Sequence, residues 1–340
     1  MTTSRSIAGA LLALLCVTLV SSCWTAPGPK VVVYTALDRE FSKPILDDFQ
    51  SKTGILVLPK FDVESTKTVG LAEAIIAESS HPRCDVFWNN EILHTLRLEK
   101  RGLLEAFHPQ HAADFPSNMQ SPDGTWYGFA ARARVLIVNT MLVPEEKRPG
   151  SVMDLIDPKW QGRVGIAKPL FGTTATHAAC LFDRWGEEKA KEFFREVKRN
   201  AKIEAGNKQV ARDVSAGVLA WGLTDTDDAI GELERGMPVI IVYPDQAADE
   251  MGTLFIPNTL SIIKNCPDPD EARRLVDSLL TPQVEERLAA GPSAQIPLNK
   301  HVKVKLRTES PASIRAMDVD FRAASDQWDT AAKYLRDLFM

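Results

Sequence analysis

The sequence predicts an α/β protein made of two lobes. Segments typical of strands and of helices alternate from residue 31 onward, which indicates a mostly parallel sheet with helices covering its faces. Two stretches, 127–139 and 252–263, are long and extended and suit strands that pass from one lobe to the other. Removing an N-terminal leader leaves roughly 320 residues, more than a single hydrophobic core usually holds. We therefore expect two lobes joined by two crossings.

The leader at residues 1–22 is typical of a secretory signal peptide. Arg5 precedes an uncharged, mostly apolar run at 7–20, which is shorter than the ~20 residues of a membrane-spanning helix. The five residues ending at Cys23 resemble a bacterial lipobox, in which Cys23 becomes lipidated and forms the new N-terminus. Residues 23–30 then form a proline-containing tether. We expect a lipid-anchored protein in the periplasm or at the cell surface, with ordinary secretion and a free Cys23 thiol as the alternative.

The first lobe is predicted from short β-branched runs that alternate with amphipathic segments. Residues 31–34, Val-Val-Val-Tyr, are of strand type. The segment 42–53 is predicted to be helical because Pro44 lies near its start and Gly54 ends it. The remaining elements up to residue 102 are strands at 55–58 and 84–88 and helices at 69–78 and 92–102.

The pattern changes at the long strand 127–139, after which the second lobe begins. The segment 187–200 is predicted to be an amphipathic helix because Phe193, Phe194 and Val197 share one of its faces. The other predicted elements are a short helix and turn at 154–160, a strand at 163–167, a helix from the 172–174 loop to 185, a helix at 210–216, a strand at 218–223, a helix from the 224–228 loop to 236, strands at 239–243 and 252–263, and helices at 268–280, 282–290 and 319–339.

The two crossings set the expected lobe boundaries. We expect 31–131 and 252–300 to form lobe 1, and 132–251 and 301–340 to form lobe 2. No internal repeat is visible, so neither lobe is predicted to be a copy of the other.

Composition excludes several classes of protein. The chain is 44% apolar and 25% charged, which is ordinary for a globular protein. Its 40 basic residues against 45 acidic ones argue against nucleic-acid binding, which favours basic patches. After Cys23 three cysteines remain, and their spacing matches no zinc site. Cysteine chemistry is therefore not expected to carry the function.

An enzyme is the main competing class. The chain has no glycine-rich phosphate loop ending in Lys-Ser/Thr, no Gly-x-Ser-x-Gly elbow and no His-Glu-x-x-His motif. The acidic pair Asp227-Asp228 could do acid–base work only with a partner that perturbs its pKa. An extracytoplasmic enzyme using this pair is kept as an alternative. We expect no catalytic residues.

The order of several motifs resembles the extracellular solute-binding proteins of ABC importers, and most closely the group that binds ferric iron. The residues that carry the resemblance are 31–38 with the helix up to Gly54, 85–91, 126–129 with 132–134, and 157–162. It implies a type II periplasmic-binding-protein fold whose lobes close over a ligand at the hinge. It also implies a monomer that delivers a small ligand or metal ion to an ABC permease.

The resemblance implies ligand residues, but the chain departs from the ferric pattern. Ferric relatives hold iron with two adjacent tyrosines, where this chain has Asp227 and Asp228. The first-strand ligand falls at Asp38, and the next loop offers Glu91 or Asn90. Such carboxylates suit a hard cation or an ammonium group, whereas the alternative for the acidic pair is helix capping. Further candidates that flank these loops are Trp88 and Asp225.

The anion half of the family pattern is better preserved. Gly172, Thr173 and Thr174 open a helix, where backbone N–H groups and hydroxyls can bind an oxyanion. Asn207 matches another anion-side position, and Arg132 or Arg134 could add a two-pronged contact. The predicted cargo is Fe(III) with a phosphate or carbonate-type anion, and no other cofactor is required. The alternative is a molecule with a phosphate or phosphonate group and a cationic group.

Overall fold

The computed structural model describes residues 28–62 and 68–340, so the signal peptide, the Cys23 lipidation site and most of the predicted tether lie outside the described residues. The strands are β1 (Lys30–Thr35), β2 (Leu56–Phe61), β3 (Val86–Asn89), β4 (Leu104–Glu105), β5 (Tyr127–Asn139), β6 (Val164–Ala167), β7 (Lys202–Glu204), β8 (Trp221–Asp225), β9 (Val239–Val242) and β10 (Phe255–Ile263). The helices are α1 (Arg39–Thr53), α2 (Val69–Ala77), α3 (Leu93–Lys100), α4 (Gly172–Trp185), α5 (Glu187–Asn200), α6 (Asn207–Ser215), α7 (Thr226–Glu234), α8 (Pro269–Leu279), α9 (Pro282–Ala290) and α10 (Phe321–Phe339).

The strands form one continuous order, β2-β1-β3-β10-β5-β8-β6-β7, with β4 pairing to β10 and β9 to β5. At one end β1 runs parallel to β2 and β3, and at the other β6 runs parallel to β7 and β8. The two parallel groups are joined in the middle by β10 and β5, which are antiparallel to each other and to their outer neighbours. A helix-covered parallel group therefore lies on each side of a central antiparallel pair.

Strand β5 changes partner along its length. Its first part, from Tyr127 to Ala133, pairs with β10, whereas its end, from Arg134 to Val138, pairs with β8. The register of β10 against β5 shifts between Ile256 and Asn258. This irregular stretch lies just before the point at which β5 passes from one strand group to the other.

Apolar side chains fill the space between the sheet and its helices. Trp88 and Phe129 pack with ring centroids 5.5 Å apart, and Trp160 and Trp221 pack edge to face at 6.0 Å. The C-terminal helix α10 packs on α4, α3 and α5. It therefore contacts helices that belong to both strand groups. None of the helices within 28–62 and 68–340 is long and apolar enough to cross a membrane.

The sequence predicted most elements, and three differences are informative. The segment 224–228 is not a loop, because β8 runs through Asp225 and α7 begins at Thr226. Strand β7 was not predicted, since it has only three residues and the first of them is exposed, which leaves no alternation to detect. The strand predicted from residue 218 begins at Trp221, after a turn that leaves Val218 60% exposed.

Candidate functional site

Four aspartates lie where strands end and helices begin. Asp38 is the N-cap residue of α1, directly after β1. Asp225 ends β8 and is the N-cap residue of α7, and Asp227 and Asp228 occupy the first turn of that helix. We name these four residues the acid cluster. Helix N-termini favour negative charge, so this placement stabilises the carboxylates of the cluster as anions.

The acid cluster surrounds one guanidinium group. Oxygen atoms of Asp225, Asp227 and Asp228 all lie within 4.8 Å of one another. Arg132, which is 2% exposed, brings its Nη1 to 3.5 Å from Oδ2 of Asp227. Burial lowers the pKa of Arg132, but the four carboxylates of the cluster, with Asp227 foremost, more than offset this effect and raise it. Asp38, Asp227 and Asp228, which were predicted to face one cleft together with Glu91, therefore all act on one buried guanidinium.

A second guanidinium lies two residues further along β5, and so on the same face of the strand. Arg134 is fully buried and donates through Nη1 to Asp225 at 2.6 Å, Asn207 at 3.1 Å and Thr173 at 3.3 Å, and through Nη2 to Thr174 at 3.2 Å. The Thr173 hydroxyl donates to Asp225 at 2.5 Å, and the Thr174 hydroxyl donates to Asn207 at 3.1 Å. We name these five residues the threonine network.

The threonine network brings the predicted anion residues together but gives their side chains another role. Both threonine hydroxyls donate their hydrogen bonds to residues of the network. Their oxygens accept from the Arg134 guanidinium, so neither hydroxyl is left to donate to an anion. Among the predicted anion groups, the backbone N–H groups at the start of α4 remain suited to an anion, because Phe171 provides no side-chain cap there. Arg132 was predicted as an anion contact, yet it lies against the acid cluster, and Arg134 takes the place beside the threonines.

Glu91 does not belong to the group of carboxylates formed by Asp225, Asp227 and Asp228. It is fully buried and accepts hydrogen bonds from the backbone N–H groups of Leu93 and His94, so it caps α3. It also accepts from Asn89 at 2.7 Å and from Thr176 of α4 at 2.7 Å. Burial raises the pKa of Glu91 despite these donors. Sequence spacing could not separate this capping role from a ligand role, since both require an acid after a strand.

Two further predicted residues lie in the interior. Trp88 is fully buried against Phe129 and is a core residue rather than a stacking surface for a ligand. Asn90 is 2% exposed, and its Oδ1 has no hydrogen-bond partner among the described residues. The loop after β3 therefore contributes little accessible surface.

All four tyrosines are used elsewhere in the structure. Tyr34 donates to Glu78 at 2.9 Å, Tyr127 to the carbonyl of Phe107 at 2.6 Å, and Tyr334 to the carbonyl of Lys191 at 3.0 Å. The hydroxyl of Tyr243 accepts from the N–H of Glu309 at 2.8 Å. No phenol belongs to the acid cluster, so any ligand there meets carboxylates and guanidinium groups.

A cleft opens beside the acid cluster, and an ion pair crosses it. A cavity of about 880 Å³ is lined by Asp38 and Phe61 on one side and by Lys208 on the other. A smaller cavity of about 210 Å³ contains Asp227 and Asp228 and shares Lys208 with the first. Lys208 of α6 lies 2.8 Å from Glu40 of α1, at the junction of the two cavities. Sequence reasoning missed this pair, because nothing in the local pattern connects two residues that are 168 positions apart.

Comparison of the sequence with known proteins identifies related solute-binding proteins. A family model described as bacterial extracellular solute-binding protein matches residues 94–324. The major ferric iron-binding protein of Neisseria meningitidis is 25% identical over 318 residues, which are 91% of this chain and 94% of that protein.

Solved structures show the same fold. Iron-bound HitA from Pseudomonas aeruginosa superposes with a TM-score of 0.83 at 24% identity, over 92% of this chain and all of that one. The periplasmic binding protein AfuA from Actinobacillus pleuropneumoniae, solved with fructose-6-phosphate, gives 0.81 at 23% identity over 91% and 98% of the two chains. These matches confirm the predicted two-lobe α/β fold.

Proposed function

The chain belongs to the bacterial extracellular solute-binding proteins, and within that family we propose that its acid cluster captures Fe(III) together with a small anion. Its role is to bind a solute and not to catalyse a reaction. The observation that carries the proposal is the convergence of three carboxylates within 4.8 Å beside an open cleft. Hard cations take such oxygen ligands in preference to nitrogen or sulfur.

The charge balance of the site supports a cationic cargo. Four carboxylates of the acid cluster face two guanidinium groups, those of Arg132 and Arg134, which leaves two negative charges in excess. Asp225 is held by Arg134 at 2.6 Å, so Asp227, Asp228 and Asp38 are the proposed ligands. Arg132 lies 3.5 Å from Asp227, so a bound cation would compete with this guanidinium for the carboxylate.

A phosphate-bearing molecule with a cationic group is the second candidate. The Nε atoms of Arg132 and Arg134 are buried donors that have no partner among the described residues. Buried donors are rarely left unpaired, so an acceptor oxygen at this position would be stabilised. Such a molecule would place its cationic group on the acid cluster and its phosphate near the arginines and the start of α4.

One set of measurements separates the two candidates. The full chain is purified without chelator, its iron content is measured by mass spectrometry, and its thermal unfolding is followed with Fe(III) citrate, with inorganic phosphate and with an aminoalkylphosphonate. Stoichiometric iron, and stabilisation by Fe(III) citrate that Asp227→Asn/Asp228→Asn abolishes, is the expected result. Stabilisation by the phosphonate alone would favour the second candidate. The absence of stabilisation by any of these probes would overturn both.

We also propose that the protein is lipid-anchored and delivers its cargo to an ABC permease. The lipobox-like sequence ending at Cys23 and the family membership support this proposal. We expect Cys23→Ser to release the mature protein from the membrane fraction without changing its ligand binding. Retention of the variant in that fraction would argue against the lipid anchor.

The proposed lobe boundaries follow the strand pairing. Lobe 1 would comprise 31–131 and 252–300, and lobe 2 would comprise 132–251 and 301–340. The change of partner along β5, between Ala133 and Arg134, lies two residues beyond the first boundary and supports its approximate position. Helix α10 packs on α4 and α5 of the proposed lobe 2 and on α3 of the proposed lobe 1, and we assign the C-terminal segment to lobe 2 because α10 contacts two of its helices.

A further inference from the structure

Strand β5 contains an unusual residue at the point where its register against β10 shifts. Ala130 has φ +44°, in the left-handed region that L-residues other than asparagine and aspartate rarely adopt. Left-handed backbone is unfavourable for a residue with a Cβ, because the Cβ approaches the following carbonyl oxygen. Ala130 is also 1% exposed, so its backbone groups must be satisfied by protein. Something in the surrounding structure therefore has to hold this conformation.

Glu285 of α9 provides that restraint. Its side chain is fully buried, and Oε1 accepts from the N–H of Ala130 at 2.6 Å. The same carboxylate accepts from the N–H of Leu298 at 3.0 Å and from the N–H of Asn299 at 2.6 Å. One carboxylate thus ties the crossing strand to the segment after α9.

Asn258 of β10 holds the other side of Ala130. Its Nδ2 donates to the carbonyl of Ala130, and its Oδ1 accepts from Nη2 of Arg132 at 3.2 Å. The N–H and carbonyl of the intervening Ala131 pair with Ile296 at 2.7 Å in both directions. Ala130, with its left-handed backbone, and Arg132, which lies against the acid cluster, are therefore joined through hydrogen bonds to Asn258.

We propose that Glu285 is a positioning residue of the hinge, which fixes Ala130 in its left-handed conformation and thereby sets the angle between the lobes and the position of Arg132. The inference does not depend on which ligand the cleft binds. Both carboxylate oxygens of Glu285 accept hydrogen bonds from backbone N–H groups. Replacing one oxygen with an NH₂ group would therefore place one N–H donor against another. Without the clamp, Ala130 is expected to relax to negative φ and redirect the strand.

The test measures the distance between the lobes in solution. Spin labels are placed at Lys52→Cys and Glu188→Cys, two positions whose native side chains are 72% and 88% exposed, and the ligand-free full chain is studied by pulsed electron spin resonance. Glu285→Gln is expected to shift and broaden the interlobe distance. Glu286→Gln, a neighbouring substitution outside this carboxylate clamp, is expected to leave it unchanged.

A double-mutant cycle distinguishes positioning from a general loss of stability. Glycine adopts positive φ without a steric cost, so Ala130→Gly alone should retain the wild-type distance. Combined with Glu285→Gln, Ala130→Gly should reverse part of the shift in the interlobe distance that Glu285→Gln causes. A wild-type distance in Glu285→Gln, or a double variant identical to Glu285→Gln, would overturn the proposal.

A second variant covers the case in which Glu285→Gln does not fold. Asn258→Ala removes the side-chain donor to the Ala130 carbonyl from the opposite side of the turn. It is expected to shift the interlobe distance as well. An unchanged distance in a folded Asn258→Ala protein would equally contradict the hinge role.

Discussion

At the scale of single residues, Asp227 and Asp228 combine two roles. Their place in the first turn of α7 is favourable in the helix dipole, and their contact with one another and with Asp225 concentrates negative charge. The dipole term is about 0.3–1 kcal/mol for each residue and is opposed by repulsion within the cluster. Their charge is therefore expected to matter more for binding than for folding.

We predict that Asp227→Asn/Asp228→Asn abolishes stabilisation by Fe(III) citrate while changing the stability of the ligand-free protein by less than about 2 kcal/mol. Urea unfolding with and without Fe(III) citrate measures both free energies. The matched control is Glu187→Gln/Glu188→Gln, an acidic pair in the first turn of α5 and outside the cleft. A large loss of ligand-free stability in the cleft variant alone would assign the aspartates to capping.

In contrast, the charge of Arg134 is expected to matter more for folding than for binding, because this residue is fully buried and paired with buried Asp225 at 2.6 Å. Arg134→Met would leave that carboxylate without its counter-charge and is predicted to destabilise the protein by about 3–5 kcal/mol in urea unfolding. The exposed pair of Arg199 with Glu196, at 2.8 Å, offers a control. Arg199→Met is expected to cost less than about 1 kcal/mol. Equal effects of the two variants would contradict this account.

Which site residues the sequence could predict depends on how local their signal is. Asp38, Asp227 and Asp228 follow strands and open helices, so their shared position was predictable from the order of elements and the family resemblance. The contact of Glu91 with Thr176 and the choice between Arg132 and Arg134 depend on partners more than 80 residues apart in the chain, as in the pairing of Arg134 with Asp225. No local pattern encodes contacts of that range.

At the scale of elements, the same distinction holds. Strand β5 and helices α5 and α9 have the bounds that hydrophobic periodicity and flanking glycine or proline predicted. Strand β7, with three residues, has too short a pattern to be detected. The left-handed Ala130 within β5 was equally invisible, since its conformation is imposed by Glu285 and Asn258 rather than by its own preference.

Helices α1 and α6 face each other across the cleft through Glu40 and Lys208. Their side chains are 56% and 41% exposed, so the ion pair contributes less than about 1 kcal/mol. Applied to an equilibrium between open and closed lobes, even about 0.7 kcal/mol changes the ratio roughly threefold. A weak contact can therefore bias closure without affecting the stability of either lobe.

We predict that Lys208→Glu shifts the ligand-free protein toward the open form, seen as a larger radius of gyration in small-angle X-ray scattering. Glu40→Lys/Lys208→Glu, which reverses both charges, is expected to restore the compact value at low salt. High salt should reduce the difference between wild type and Lys208→Glu, because exposed charges are screened. A radius that stays constant through the series would show that the pair does not influence closure.

At the scale of the whole molecule, the order of strands explains why one site joins distant parts of the chain. The central pair β5 and β10 carries Arg132 and Asn258, while the flanking groups supply Asp38 from one side and Asp227 with Asp228 from the other. Two lobes were predictable because strand and helix patterns alternate over the full length. How the lobes approach one another was not, since it depends on the register shift in β10 and the turn at Ala130.

Stability of the whole protein should fall in mild acid, in part because of His94. Burial, and to a lesser degree Arg97, lower the pKa of His94 from 6.5 to about 3. The unfolded chain therefore binds a proton between about pH 6.5 and pH 3 that the folded chain excludes. The contribution of His94 is present above pH 6.5 and is lost at up to about 1.4 kcal/mol per pH unit as the pH falls through that window.

His94→Gln should remove this dependence. We predict that the difference in unfolding free energy between wild type and His94→Gln becomes less favourable to wild type by about 1–2 kcal/mol from pH 7 to pH 5. Asp245 acts in the opposite direction, since burial raises its pKa to about 6, but this contribution is common to both proteins and cancels in the difference. His81→Gln, at an exposed position, is the control substitution. Parallel pH profiles for wild type and His94→Gln would show that His94 takes up a proton in the folded state.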